Sequence, residues 1–286
     1  MPTFDRIIVV DWSATSGITK PGPDTIHIAF TQADHITVEH APTRLACEAR
    51  IAELVAASRR ALVACDFAFG YPRMAGLPTG RALCTKLANL ITESPAGVSN
   101  RFAVAAQLNR EITAATGHPG PFWGRPASIA EPDLPTTQPA TPIPPYREVE
   151  RLALTRLREW GRIQSAFKCA YPASVGSQTL TGLACIGRLL AAPALASRAV
   201  LWPFETNWEA AIAPDAIVFA EVWPATQAAR VRADTSDAVR DAKQVRAVAQ
   251  WLLEPPAPLA APRFAPSTHT AFTEGWILGV DASPSS

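Results

Sequence analysis

Two aspartates in this chain stand where a carboxylate is costly unless something uses it. Arg6-Ile-Ile-Val-Val-Asp11 and Ala61-Leu-Val-Ala-Cys-Asp66 are short apolar runs, each closed by an aspartate. Such runs suit central strands covered on both faces. A carboxylate at the end of a buried strand costs several kcal/mol to desolvate unless it is paired or coordinates a metal. If the two strands are parallel neighbours, both side chains emerge at one sheet edge, where ligand crevices form in open α/β sheets. The competing reading makes each aspartate a turn or helix cap, and it has to hold twice.

Other acidic residues extend the set. Glu221 lies inside Ile217-Val-Phe-Ala-Glu-Val-Trp-Pro224, an otherwise apolar strand candidate, and needs either a metal or a salt bridge to a nearby arginine. Glu205, after the preceding strand candidate, is its rival. Asp237 and Asp241 are four residues apart at the start of the last long helix, which places them on one face. There they either complete a metal site or favour the positive end of the helix dipole. Asp11, Asp66, Glu221, Asp237 and Asp241 are thus the candidate metal ligands, with Asp11, Asp66, Glu221 and Asp241 as the catalytic group. Converging carboxylates suit Mg²⁺ or Mn²⁺, hard ions that prefer oxygen ligands. A pair of such ions about 3.5–4 Å apart can bind the attacking water and the departing oxygen of an in-line phosphoryl displacement. The five histidines form no ligand-spaced pair, which argues against a zinc enzyme.

Candidate substrate contacts lie close by in sequence. Trp12 and Ser13 follow the first strand; Ser174, Ser177 and Gln178 open a helix whose N–H groups either hold an anion or are simply capped. Ser174-Val-Gly-Ser-Gln178 lacks the lysine of a P-loop and does not fit the G-x-S-x-G elbow of serine hydrolases. Lys168 closes the segment 147–168, where Arg147, Arg151, Arg156, Arg158 and Arg162 outnumber Glu148, Glu150 and Glu159. That segment reads as an anion-facing helix or as a solvated helix face with salt pairs. The tryptophans, Trp12 and Trp223 included, suit base stacking or plain packing.

The elements that must position these residues follow from periodicity. Thr25 to Phe30 and His35 to His40 alternate in polarity and predict an antiparallel hairpin. Thr43 caps a helix whose Cys47, Ile51, Leu54, Val55 and Ser58 share one face. With the run to Asp66 the opening reads β-β-β-α-β. Helical pieces follow near 81–93 and 100–115, then nine prolines between Pro119 and Pro145 exclude helix or central strand. A helix over about 146–165 completes an expected insertion at 73–165. Further on come a helix to about Leu190, strands at 198–203 and 216–222, and a helix over 236–254 with Ala238, Ala242, Val245, Ala249 and Leu252 inward. A proline-rich piece, a last apolar run at 275–280 and a frayed tail end the chain.

Composition bounds the class. At 286 residues and 48% hydrophobic content the expectation is one large domain spanning 1–286. No apolar stretch reaches membrane-spanning length and no signal peptide is evident, so a cytoplasmic address is expected. The five cysteines, at irregular positions, read as reduced and buried. A net charge of +1 lacks the strongly basic balance of proteins that grip long duplexes.

Six pieces together resemble the ribonuclease-H-like superfamily, and more narrowly its uncharacterised group of predicted ribonuclease-H-like nucleases. They are Val-Asp11-Trp-Ser, Cys-Asp66-Phe-Ala-Phe-Gly-Tyr-Pro, Ser-Val-Gly-Ser-Gln-Thr-Leu-Thr-Gly182, Trp202-Pro-Phe-Glu, Glu221-Val-Trp-Pro and the stretch from Asp237 to Asp241-Ala. The resemblance touches most of the chain outside 73–165. It implies a mixed β-sheet in the order β-β-β-α-β-α-β-α, a carboxylate site for Mg²⁺ or Mn²⁺, and a phosphodiesterase or nuclease acting on nucleic acid or a nucleotide. The alternatives are an actin-like ATPase or phosphotransferase, or a non-catalytic binding protein on the same fold. Proteins of the actin-like type repeat the strand-and-aspartate unit, and no second copy is present in this sequence.

Overall fold

The computed structural model describes residues 4–32, 35–155, 163–171, 174–208, 212–254 and 268–280. Its strands are β1 (Arg6–Asp11), β2 (Ile26–Gln32), β3 (His35–Ala41), β4 (Ala61–Cys65), β5 (Ala199–Leu201) and β6 (Ile217–Glu221). Its helices are α1 (Arg44–Ala56), α2 (Gly80–Leu90), α3 (Arg101–Thr116), α4 (Glu148–Leu154), α5 (Gly176–Ala191), α6 (Ala228–Ala233), α7 (Arg240–Leu252) and α8 (Thr268–Glu274). The strands form one mixed sheet in the order β3-β2-β1-β4-β6-β5. β2 runs antiparallel to its neighbours β1 and β3, whereas β1, β4, β6 and β5 are parallel. The expected α/β class and the hairpin both hold, and its turn, 33–34, lies outside the described residues.

Alternation along the strands divides the core in two. Ile8, Val10, Val63, Cys65 and Phe219 face a layer containing α1, α2, α3 and α5. Ile7, Val9, Leu62, Ala64, Val218 and Ala220 face α7, through Val245, Val248, Ala249 and Leu252. Helix α5 is buried on nearly every side, and α2 lies against it so closely that a Cβ on Gly187 would sit 2.2 Å from the Cys84 carbonyl oxygen. Side chains of the predicted insertion, among them Leu83, Val104, Phe122, Leu134 and Ile143, join the same core as Ile8 and Val10. All five cysteines are buried and free. Among the described residues no helix is long and apolar enough to cross a membrane.

Two helix expectations need correction. The helix predicted over 146–165 is helical only at Glu148–Leu154, and residues 163–165 are not helical; 156–162 lie outside the described residues. The Ser165 hydroxyl donates to the Pro145 carbonyl at 2.7 Å, although a continuous helix would hold these residues about 30 Å apart. The chain turns back instead. The helix predicted from Ser236 begins at Arg240. Before it, Asp234 accepts from the Ser236 N–H and hydroxyl, and Asp237 Oδ1 accepts from the Val239 N–H at 2.9 Å. Such local side-chain bonds compete with the helix for its first turn. Ala238, expected in the apolar stripe, is exposed. The proline-rich piece at 255–266 and the tail from 281 onward lie outside the described residues, and the short α8 before the last apolar run was not foreseen.

Candidate functional site

Strand register decides which carboxylates meet. Val10 pairs with Cys65 and Cys65 with Glu221, so β1, β4 and β6 reach the same sheet edge together. Asp11 shares the parity of Val9, and Asp66 that of Ala64, which turns both toward the α7 face. Asp241, in the first turn of α7, lies on that face too. Its Oδ2 accepts from the Asp24 N–H at 2.8 Å, which ties the start of α7 to the loop ahead of β2. His27, opposite Asp11 on β2, is buried, and its Nδ1 lies 3.1 Å from the Thr25 carbonyl oxygen.

The electrostatics show how closely these groups interact. Burial pushes the Asp11 carboxyl well above the usual range, and the charges of Asp66, Asp241 and Asp24 add to the rise against a smaller pull from Arg240. Asp66 is pushed up to about 7, first by burial, then by Glu221 and Asp241. Asp241 is raised by burial, partly offset by the hydrogen bond from Asp24 and by nearby His27. Asp11, Asp66 and Asp241 nevertheless remain partly open to solvent. Among the described residues none of the three has an ion-pair partner. Crowded carboxylates without a bound cation are the electrostatic condition that a divalent ion relieves.

Glu221 plays a different part. It has the parity of Phe219, so it leaves β6 on the opposite face from Asp66. Arg147 Nη1 donates to its Oε2 at 2.7 Å and Arg147 Nη2 to its Oε1 at 2.5 Å, while the Phe69 N–H donates to Oε2 at 2.9 Å. Arg147 also binds Glu150, and all three side chains are almost wholly excluded from solvent. The salt-bridge reading of Glu221 therefore holds, although its charge still acts on Asp66. Glu205 is likewise held by an arginine, Arg81, at 2.6 Å. Asp237 precedes α7 and caps its own turn, so it does not share a helix face with Asp241.

The predicted substrate contacts are mostly structural. Trp12 is buried, with Nε1 donating to Thr181 Oγ1 at 3.0 Å and its ring edge-on to Phe67, so it offers no stacking surface. The Ser13 hydroxyl donates to the Asp24 carbonyl at 2.6 Å. Ser177 Oγ donates to the Cys169 carbonyl, and Gln178 Nε2 donates to the Trp12 carbonyl at 2.7 Å, which docks the start of α5 on the end of β1. Ser174 precedes that helix, and the Lys168 ammonium stands 5.7 Å from the centre of the Trp123 ring. Residues that the sequence did not single out are Asp24 and His27, and Arg147 entered only as one charge of the basic segment 147–168, not as the partner of Glu221. For His27 a signal existed, because the alternation Thr25, His27, Ala29 sets it on the same face as Asp11 once β2 pairs with β1.

A small cavity of about 60 Å³ adjoins Asp66, lined by Phe67, Glu150, Gln164, Val175, Glu221 and Trp223 among others. Among the described residues no group of three or more His, Cys, Asp or Glu side chains is arranged to hold an ion by itself. Comparisons with family models, curated proteins and solved structures return no match, which leaves geometry and chemistry to carry the functional reading.

Proposed function

We propose that the protein is a divalent-metal-dependent phosphodiester hydrolase, nuclease-like in its chemistry, on a ribonuclease-H-like sheet. The observation that carries the proposal is the placement of Asp11, Asp66 and Asp241 at one edge of the sheet, on the side of α7, with no ion pair to any of them among the described residues. The fold reading is supported by the succession β-β-β-α-β, then α5, β6 and α7, with the three-residue β5 as an added edge strand.

The residues fit Mg²⁺ or Mn²⁺ in the open style. Magnesium keeps several waters and is commonly held by one or two carboxylates plus substrate phosphate, so a closed cage of side chains is not required. Asp11, Asp66 and Asp241 are the residues that would hold it, and the bound ion would activate water and neutralise phosphoryl charge. The chain's own contribution is preorganisation. The Asp24 N–H fixes Asp241, Gln178 fixes the end of β1, and Arg147 keeps the Glu221 charge compensated. With a pKa of about 7, Asp66 can hold a proton near neutrality until a cation displaces it. The near-neutral charge favours a short or single-stranded substrate, or a nucleotide, over a long duplex.

Hydrolysis of bis(p-nitrophenyl) phosphate, single-stranded DNA and RNA in Mg²⁺ or Mn²⁺ tests this. Asp11→Asn and Asp66→Asn should each lower turnover by at least about a hundredfold, the scale of losing electrostatic stabilisation at a reacting centre. Equal rates in wild type and both variants, or metal-dependent ATP turnover without diester cleavage, would overturn the assignment.

A further inference from the structure

Beyond these carboxylates, the loop that follows β1 meets an arginine, Arg101, that forms no ion pair among the described residues. Arg101 opens α3, and its Nε donates to Ser177 Oγ at 3.2 Å. Its Nη1 donates to Ser16 Oγ and to Ser99 Oγ, each at 3.2 Å. Among the described residues no Asp or Glu forms an ion pair with it, and Nη2 has no acceptor. The Ser177 proton is committed to the Cys169 carbonyl, but those of Ser16 and Ser99 have no acceptor among the described residues. Two hydroxyls and the Nη2 edge of a guanidinium that lies 4.6 Å from the centre of the Phe102 ring are thus left as donors, drawn from two loops and a helix.

The loops are held in place by other contacts. Arg44, buried and paired with Glu93, donates to the Thr15 carbonyl at 2.8 Å and the Gly97 carbonyl at 2.6 Å. The Gly17 N–H donates to the Gly97 carbonyl at 3.4 Å. Next to the two serines the same loops carry Ile18 and Val98, aliphatic side chains that are 72% and 56% exposed. Burial first, then the neighbouring Arg44, holds the Arg101 pKa down at about 10, and Glu93, which is itself paired with Arg44, offsets this only in part.

We propose that Arg101, Ser16 and Ser99 form an oxyanion site that takes a phosphoryl group, with Ser177 orienting the guanidinium by accepting from its Nε. A guanidinium fork with flanking hydroxyls matches the geometry of a tetrahedral oxyanion. The site stands without the metal chemistry proposed above, although both lie at the same end of β1. The exposed Ile18 and Val98 suit the apolar part of a phosphorylated ligand such as a nucleotide, and inorganic phosphate shares the same headgroup chemistry.

Isothermal titration in EDTA, at fixed ionic strength, with inorganic phosphate and with adenosine monophosphate tests the site. Wild type should bind both, and Arg101→Gln should weaken each by about tenfold or more, the scale of one lost charge-assisted contact. If Arg101→Gln fails to fold, Ser16→Ala/Ser99→Ala keeps the guanidinium, removes two donors and should weaken phosphate by several-fold. Tighter binding of the nucleotide assigns the flanking aliphatics a role, and equal binding assigns the site to the phosphoryl group alone. No binding by wild type, or the same affinity in wild type and variants, overturns the proposal. Because no metal is present, failure of the carboxylate reading leaves this result unchanged, and the reverse holds as well.

Discussion

Asp66→Asn should make the metal-free protein more stable above pH 7 and change little near pH 4. The folded carboxyl titrates at about 7, against about 3.9 in an unfolded chain. Between those values the folded state retains a proton that the unfolded state has released, so stability falls as pH rises through the window and levels off above it. Each pKa unit corresponds to about 1.4 kcal/mol, so the charged Asp66 destabilises the fold by up to about 4 kcal/mol at pH 8. Its partial exposure and its coupling to Asp11 and Asp241 bring the expected gain for asparagine to about 2–4 kcal/mol. Urea denaturation in EDTA at pH 4.5, 6, 7 and 8 measures this, with an unchanged slope confirming the same unfolding reaction. A variant no more stable than wild type at pH 8, or a difference of equal size at pH 4.5 and pH 8, would refute the electrostatic reasoning.

Two further substitutions test the packing that surrounds the site. Arg147→Ala leaves Glu150 and Glu221 buried without their cation and should cost about 3–5 kcal/mol in urea denaturation, whereas Arg147→Met with Glu150→Gln and Glu221→Leu should recover much of that loss. A loss below about 1 kcal/mol for the single variant would contradict the triad's role. Gly187→Ala places a methyl 2.2 Å from the Cys84 carbonyl oxygen and should destabilise by about 1–3 kcal/mol despite alanine's better helix propensity, read as a lower Tm. A higher Tm would show that α2 and α5 separate without cost.

Strands β1, β4 and β6 were legible because β-branched and apolar runs between turn signals have few other uses. The Asp11–Asp66 pair was legible for the same reason, since each closes such a run. Glu221 stayed open between metal ligand and salt bridge because the sequence places it in a strand but does not give the register. Opposite Cys65, it points away from Asp66 and toward Arg147, 74 residues earlier in the chain. That distant partner has no local signature. Asp237 misled through spacing: four residues imply a shared face only inside a helix, and its own carboxylate closes a turn before the helix begins. Arg101 carried no signal at all, because its hydrogen-bond partners Ser177 and Ser16 lie 76 and 85 residues away in the chain.

Mn²⁺ binding at pH 8, followed by calorimetry for wild type, Asp11→Asn and Asp237→Asn, tests most directly whether the three converging carboxylates form a cation site. Wild type and Asp237→Asn should bind alike, and Asp11→Asn should bind at least about tenfold more weakly, consistent with loss of one ligand at about 1.4 kcal/mol per decade. Equal binding by all three proteins would contradict a site built on Asp11.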